Sequence, residues 1–179
     1  MRKPYSVVLT LALCLALFSP AAAANEQSEE TYHAIATNNA IVVSNSTDLP
    51  DAHLVKPAVY KIDGANYFKL RDLAMILTGS AKQFAVDYDD SVGEVSITTG
   101  KPYAAIGGEL TGSAAERSSA VISDNTILVD GVSVTLKVFK IDGANYFKLR
   151  DLGKLLDFHV GYNSEMKTVT ISGAKGYDT

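Results

Sequence analysis

Apolar and polar residues follow two periods along the chain. The segment 132–136 alternates apolar and polar residues, which is the period of a half-buried strand. The segments 70–77 and 149–156 place apolar residues at i, i+3, i+4 and i+7, which is one stripe of a helix. The pattern therefore predicts antiparallel strands with short amphipathic helices inserted between them. Further strands are predicted at 127–129, 137–141, 145–149, 158–162 and 169–171.

An internal repeat underlies this pattern. The segment 61–73 recurs without change as 140–152, and weaker correspondences extend the match on both sides. Two copies of one unit therefore fill most of the chain. We expect an α+β fold of tandem repeats, each a twisted antiparallel β-sheet packed around one short α-helix.

The N-terminal 24 residues predict an export signal. A basic start precedes an apolar run over residues 6–18, and Ala22-x-Ala24 fits the small-residue rule for cleavage near Ala24. The alternative is a retained membrane anchor, for which the run is short. We therefore expect a secreted or cell-envelope-associated protein with no membrane span in the mature chain. The predicted division is 1–24 signal peptide, 25–37 N-terminal extension, 38–103 first repeat, 104–120 linker and 121–179 second repeat.

Composition narrows the classes of partner. The chain has 179 residues, with 16 Lys+Arg against 20 Asp+Glu, and the net charge of −4 argues against binding to nucleic acid. The one cysteine, Cys14, lies in the predicted signal. The mature chain then has no disulfide, and its hydrophobic core alone must hold the fold.

The repeated segment carries a family resemblance. Asn-Tyr-Phe-Lys-Leu-Arg-Asp-Leu after Ile-Asp-Gly, in both copies, resembles the copper amine oxidase N-terminal-like domain, also called the stalk domain. The resemblance covers about residues 38–177. Members usually carry an aromatic-Asp pair after the helix, for which this chain has Tyr88-Asp89 and Tyr162-Asn163. The resemblance implies a twisted antiparallel sheet around a helix, in secreted or envelope-associated proteins of Gram-positive bacteria.

The matching motif residues are expected to be structural. Arg71-Asp72 and Arg150-Asp151 allow two interpretations: a binding pair, or a helix-start charge arrangement with surface salt bridges, which we favour. The motif residues are Asp63, Gly64, Asn66, Phe68, Leu70, Arg71 and Asp72 in the first copy and Asp142, Gly143, Asn145, Phe147, Leu149, Arg150 and Asp151 in the second.

Copper chemistry is not expected despite the family name. An amine oxidase needs three copper-binding histidines, whereas His33, His53 and His159 show no paired spacing. We expect no metal, no cofactor and no catalytic residue. An enzyme with an unrecognised site is an alternative, and it would need a deep pocket lined by convergent ionisable groups. The acidic run 87–90 allows calcium binding or a hairpin turn, and we favour the turn.

Aromatic residues supply the candidate binding site. Tyr67 and Lys69, with Tyr146 and Lys148, lie on the strand face opposite the phenylalanines. If that face is open, these residues would contact sugar or peptide; the alternative, that helix and sister repeat cover both faces, is favoured. The expected function is a non-enzymatic binding or structural spacer module at the bacterial cell envelope, or alternatively a carbohydrate- or peptidoglycan-binding module. The partner would be an envelope protein or glycan, with a homodimer through free sheet edges also open.

Overall fold

The computed structural model describes residues 30–45, 52–111 and 113–177, and there the chain is mostly β-sheet with two short helices. Both halves follow one order of five strands, a helix and two strands, which agrees with the predicted α+β class. The first half contains β1 (Thr31–Ala36), β2 (Ala40–Ser44), β3 (His53–Val55), β4 (Val59–Ile62), β5 (Ala65–Lys69), α1 (Leu70–Leu77), β6 (Phe84–Asp89) and β7 (Glu94–Thr99). The second half contains β8 (Arg117–Ile122), β9 (Thr126–Val129), β10 (Val132–Val134), β11 (Val138–Ile141), β12 (Ala144–Lys148), α2 (Leu149–Leu155), β13 (His159–Asn163) and β14 (Thr168–Ser172).

Six strands form a closed antiparallel barrel in the order β1-β4-β5-β12-β11-β8. Each half contributes three strands, and the halves join at the β5·β12 and β1·β8 pairs. Phe68 lies directly opposite Phe147 at the β5·β12 junction. These two residues occupy the same place in the repeated segment, so the junction joins equivalent strands of the two copies.

Two four-stranded sheets flank the barrel, and each combines strands of both halves. Their orders are β10-β9-β7-β6 and β13-β14-β2-β3. The β7·β9 and β14·β2 pairs are parallel. The expectation that each copy forms its own antiparallel sheet is therefore wrong. Turn residues encode a hairpin locally, but the partner of a distant strand depends on which surfaces the whole chain buries.

The two faces of the barrel strands belong to two cores. The larger core joins α1, α2 and the outer sheets, and it contains Phe68 and Phe147. The smaller core consists only of residues from barrel strands and includes Tyr67, Phe139 and Tyr146. Side chains alternate along β5 and β12, which places neighbouring residues in different cores. Because the larger core takes residues from both halves, the two copies share one core.

Both helices begin where the spacing of apolar residues predicts. α1 ends at Leu77 and α2 ends at Leu155, one residue sooner relative to the repeat. Gly153 stands where the first helix has Ala74. A Cβ atom at Gly153 would lie 2.8 Å from Val160 Cγ2 and 3.1 Å from the Phe158 carbonyl oxygen, so this close approach requires glycine.

Parts of the predicted division can be located. The predicted signal peptide, 1–24, lies outside the described residues. Strand β1 falls in the range predicted as the N-terminal extension, and β8 begins in the range predicted as the linker; both are barrel strands. Across the described ranges, neither helix has the length and apolar character needed to cross a membrane.

Candidate functional site

Two grooves lie at equivalent places in the two halves, with volumes of about 370 Å³ and about 310 Å³. Each combines the Lys-Leu-Arg end of one repeated segment with the Gly-Ala-Asn turn of the other, and each has a tyrosine from the strand after the helix. The first groove is lined by residues 69–72, Val86, Tyr88, Asp90, Val95, residues 107–109, Lys140 and residues 143–145. The second groove is lined by Asn39, Lys61, residues 64–66, residues 148–150, residues 160–162 and Val169.

The tyrosines predicted to form a binding face lie inside the barrel. Tyr67 and Tyr146 are only 4% and 3% exposed. Tyr67 contacts Phe139 edge-to-face at a ring-centroid distance of 5.1 Å, and Tyr146 contacts Tyr60 at 5.3 Å. Burial raises the pKa of both phenols. The alternative that this strand face is covered therefore applies to both tyrosine rings, and neither ring is open to a ligand.

The two lysines of the predicted face have a different location from the tyrosines. Lys69 lines the first groove and Lys148 lines the second. Each lysine is the last residue of its strand and the N-cap of the following helix. Alternation along the strand places each lysine on the same face as its tyrosine. The tyrosine lies within the closed barrel, whereas the lysine at the end of the strand lines a groove.

The remaining motif residues divide between the core, the turns and the grooves. Phe68, Phe147, Leu70 and Leu149 are buried in the larger core. The turns take positive φ angles at Asp63 and Gly64, and at Asp142 and Gly143, in the tight hairpins β4–β5 and β11–β12. Asn66 and Arg150 line the second groove, and Asn145 and Arg71 line the first.

The equivalent aspartates Asp72 and Asp151 have different environments. Asp151 is exposed and pairs with Lys148 at 3.5 Å. Asp72 is 1% exposed; its Oδ1 accepts a hydrogen bond from the Leu110 N–H at 3.0 Å, and its Oδ2 has no partner. Burial raises the pKa of Asp72. The interpretation as a surface salt bridge is thus wrong for Asp72. The connection between β7 and β8, which contains Leu110, covers the start of α1.

The connection between the halves forms one wall of the first groove. The chain bends at Gly107 and Gly108, which take the positive φ angles that glycine adopts most readily. The Glu109 carboxylate accepts hydrogen bonds from the Tyr103 hydroxyl at 2.6 Å, the Ile106 N–H at 3.1 Å and the Gly107 N–H at 3.0 Å. These hydrogen bonds lower the pKa of Glu109 to about 2, and the bond from Tyr103 has the largest effect. The bend was predictable from its glycines, but its position against α1 was not.

Two polar side chains of the first groove, Asn145 and Tyr88, form hydrogen bonds within the protein. The Asn145 Oδ1 atom accepts a hydrogen bond from the Ser123 hydroxyl at 3.3 Å. The Tyr88 hydroxyl accepts one from the Asn125 amide at 3.2 Å. In the second groove, the Oδ1 atom of Asn66 is buried without a hydrogen-bond partner, and Tyr162 is 52% exposed. The second groove thus offers an exposed aromatic ring, whereas the Asn66 Oδ1 atom lies beneath its surface.

The charges of the two grooves also differ. The first groove is lined by three cationic and three acidic side chains. The second groove is lined by three cationic side chains, Lys61, Lys148 and Arg150, and by no carboxylate. This difference arises because Asp72, Asp90 and Glu109 have no counterparts in the lining of the second groove. A groove with this charge attracts anions, although the whole chain is acidic.

The histidines and the acidic run 87–90 were the candidates for metal binding. His33, His53 and His159 lie on β1, β3 and β13, and nowhere in the described ranges do three metal-ligating side chains of the His, Cys, Asp or Glu type come together. The turn interpretation of the acidic run 87–90 holds only for Asp90, since residues 87–89 lie in β6 and pair with β7. There Asp89 accepts hydrogen bonds from the Ser91 N–H and hydroxyl, which lower its pKa.

The first groove is the place where the enzyme alternative would have to lie, since ionisable groups of both signs converge there. Two of its carboxylates already accept hydrogen bonds within the protein. Asp72 binds the Leu110 N–H, and Glu109 binds three donors of its own connection. Their interactions hold the connection against α1, which is a structural use of both groups.

Comparison with known proteins gives no match to a protein-family model, a curated protein or a solved structure. The chemistry of the grooves must therefore be argued from their own residues. The signal that could have located them is the repeat itself, because a duplicated motif places the same side chains at two equivalent sites.

Proposed function

We propose that the chain is a secreted, non-enzymatic binding or spacer module of the bacterial cell envelope, and that its ligand site is the second groove. The signal-like first 24 residues and the twofold resemblance to the stalk domain support the location. One observation carries the binding role: the equivalent grooves share their motif residues, yet carboxylates line only the first, and the second is lined by three cations and the exposed ring of Tyr162.

The contrast between the grooves supports assigning the ligand to the second. In the first, the protein's own carboxylates balance the cations and its own donors satisfy Asn145 and Tyr88. In the second, no carboxylate is among the lining residues; Asp151 pairs with Lys148 from outside the lining, and Lys61 and Arg150 remain for a ligand.

Retention on isolated cell envelopes tests the proposal. The exported protein is mixed with envelopes of its own producing cells and recovered by centrifugation. The double substitution Lys148→Gln/Arg150→Gln should reduce retention at least about tenfold, because it removes two charge-assisted contacts. The matched control Lys69→Gln/Arg71→Gln makes the same change in the first groove and should leave retention unchanged.

Thermal unfolding of both double variants checks that the fold survives. Equal retention of the two variants and the parent protein would contradict a role for the second groove. Equal loss from both variants would point to non-specific attraction by total charge, and it would also contradict the proposal. Raising the salt concentration should release the parent protein, since screening weakens contacts between exposed charges.

A further inference from the structure

We infer that the second groove binds a carboxylate-bearing sugar residue of an anionic glycan. The inference rests on the proposed binding function and adds the chemical class of the ligand. It depends on two features that meet in this groove, the cations and the exposed ring of Tyr162, together with the side-chain amides of the lining.

The cations select a negative ligand. Lys61, Lys148 and Arg150 line the groove, and no acidic side chain lines it with them. A guanidinium group binds a carboxylate through two parallel hydrogen bonds, which favours planar anions. Lys148 shares its charge with the Asp151 carboxylate 3.5 Å away, which leaves Lys61 and Arg150 as the cations that select the ligand.

The uncharged groups of the groove select a ring that carries hydroxyl groups. Tyr162 is 52% exposed and offers an aromatic face to the C–H groups of a sugar. Asn66 brings a side-chain amide to the lining, and amides form hydrogen bonds with sugar hydroxyl groups. Asn39 adds a second side-chain amide to the lining.

The size and kind of the lining groups favour a glycan over an acidic peptide. A volume of about 310 Å³ lies at the lower end of ligand-pocket sizes and suits one or two sugar units. A peptide that adds a strand to a sheet edge is bound mainly through rows of backbone hydrogen bonds. Here the groups that point to a ligand are side chains of different types arranged around one groove, which fits polar substituents around a ring.

The first groove provides an internal comparison. It has equivalent residues in Asn145 and Tyr88, but Ser123 and Asn125 bind these groups. Residues 107–109 of the connection form part of its lining and bring the Glu109 carboxylate to it. The protein thus places an acid of its own in the first groove, and the second groove has the same cations without one.

Calorimetric titration of the exported full chain tests the ligand class. The probes are an oligomer of galacturonic acid, the neutral galactose oligomer, a glutamate oligopeptide and a glycerol-phosphate oligomer. We expect the galacturonate oligomer to bind at least about tenfold more tightly than each other probe, because only it combines carboxylates with sugar rings. Tyr162→Ala and Asn66→Ala should each weaken its binding about tenfold, whereas the matched Tyr88→Ala and Asn145→Ala should not change it.

The outcomes separate the ligand class from the proposed function. Equal or tighter binding of the glutamate or glycerol-phosphate probe would overturn the inference in favour of an acidic peptide or a phosphate polymer. No binding of galacturonate, with envelope retention still lost in Lys148→Gln/Arg150→Gln, would overturn the ligand class and leave the proposed function standing. If Asn66→Ala fails to fold, Tyr162→Ala decides the outcome, because its exposed ring can be removed without opening the core.

Discussion

Replacing Asp72 by asparagine removes a buried negative charge from the first turn of α1. Asp72 is 1% exposed, its Oδ1 atom accepts the Leu110 N–H at 3.0 Å, and its Oδ2 atom has no partner. Burial, opposed by the Leu110 bond and by the charge of Lys69, raises the pKa of this carboxyl above the usual 3.8. Asparagine keeps an acceptor for Leu110 and carries no charge.

We expect Asp72→Asn to raise the free energy of unfolding at pH 7 by about 1–2 kcal/mol. The gain comes from removing the charge alone, because the asparagine amide would itself lack a partner at the Oδ2 position. Burying a charged group costs more than burying a neutral amide, and Lys69 offsets part of that cost. For a protein of this size, the gain corresponds to a rise in melting temperature of about 2–8 °C.

The gain should depend on pH with a defined sign. The folded protein keeps the Asp72 proton to a higher pH than the unfolded chain, so its stability falls as pH rises from 3.8 through the raised pKa. The asparagine variant lacks this loss. The difference between the two proteins should therefore be small below pH 3.8 and reach its full size above the raised pKa.

Urea unfolding from about pH 3 to about pH 8 measures this difference. Asp151→Asn is the matched control, since Asp151 occupies the equivalent place but is exposed, and its effect should stay within about 0.5 kcal/mol. The reasoning would be refuted if Asp72→Asn were no more stable than the parent at pH 7, or if its gain did not change with pH.

Three further substitutions test other parts of the structure. Phe68→Ala should lower the free energy of unfolding by about 3–5 kcal/mol in urea, because its ring is fully buried in the shared core; a loss below about 1 kcal/mol would contradict this packing. Gly153→Ala should destabilise the protein to heat by about 1–3 kcal/mol, whereas Ala74→Gly at the equivalent place should cost about 1 kcal/mol. Glu109→Gln should speed hydrogen exchange at the Leu110 amide at pH 7, and the difference should shrink as Glu109 itself protonates near its pKa of about 2; equal exchange at pH 7 would contradict the anchoring role of Glu109.

Local structure follows closely from the sequence. The apolar stripe that begins at Leu70 recurs at Leu149, and each begins a helix. The Asp-Gly turns at Asp63 and Asp142 each join two antiparallel strands. These elements depend on residues within a few positions of one another, so propensity and periodicity are sufficient to predict them.

The candidate site was predictable only in part. The sequence pointed to Lys69 and Lys148, and both line grooves. It also pointed to Tyr67 and Tyr146, whose rings fill the barrel. Strand alternation defines which residues share a face, but it does not say whether that face meets water, because closure of the barrel depends on strands far apart in the chain.

The sequence by itself determined the two helices, the tight hairpins and the duplication. Only the tertiary structure decided that the strands of the two copies combine in shared sheets, with the parallel pairs β7·β9 and β14·β2. It also decided that Asp72 is buried while Asp151 is exposed, although 13 residues around them are identical. The physical reason is that burial and charge balance depend on what the rest of the chain brings to a site. Here the connection through Glu109 lies against the first groove, and the lining of the second has no such segment.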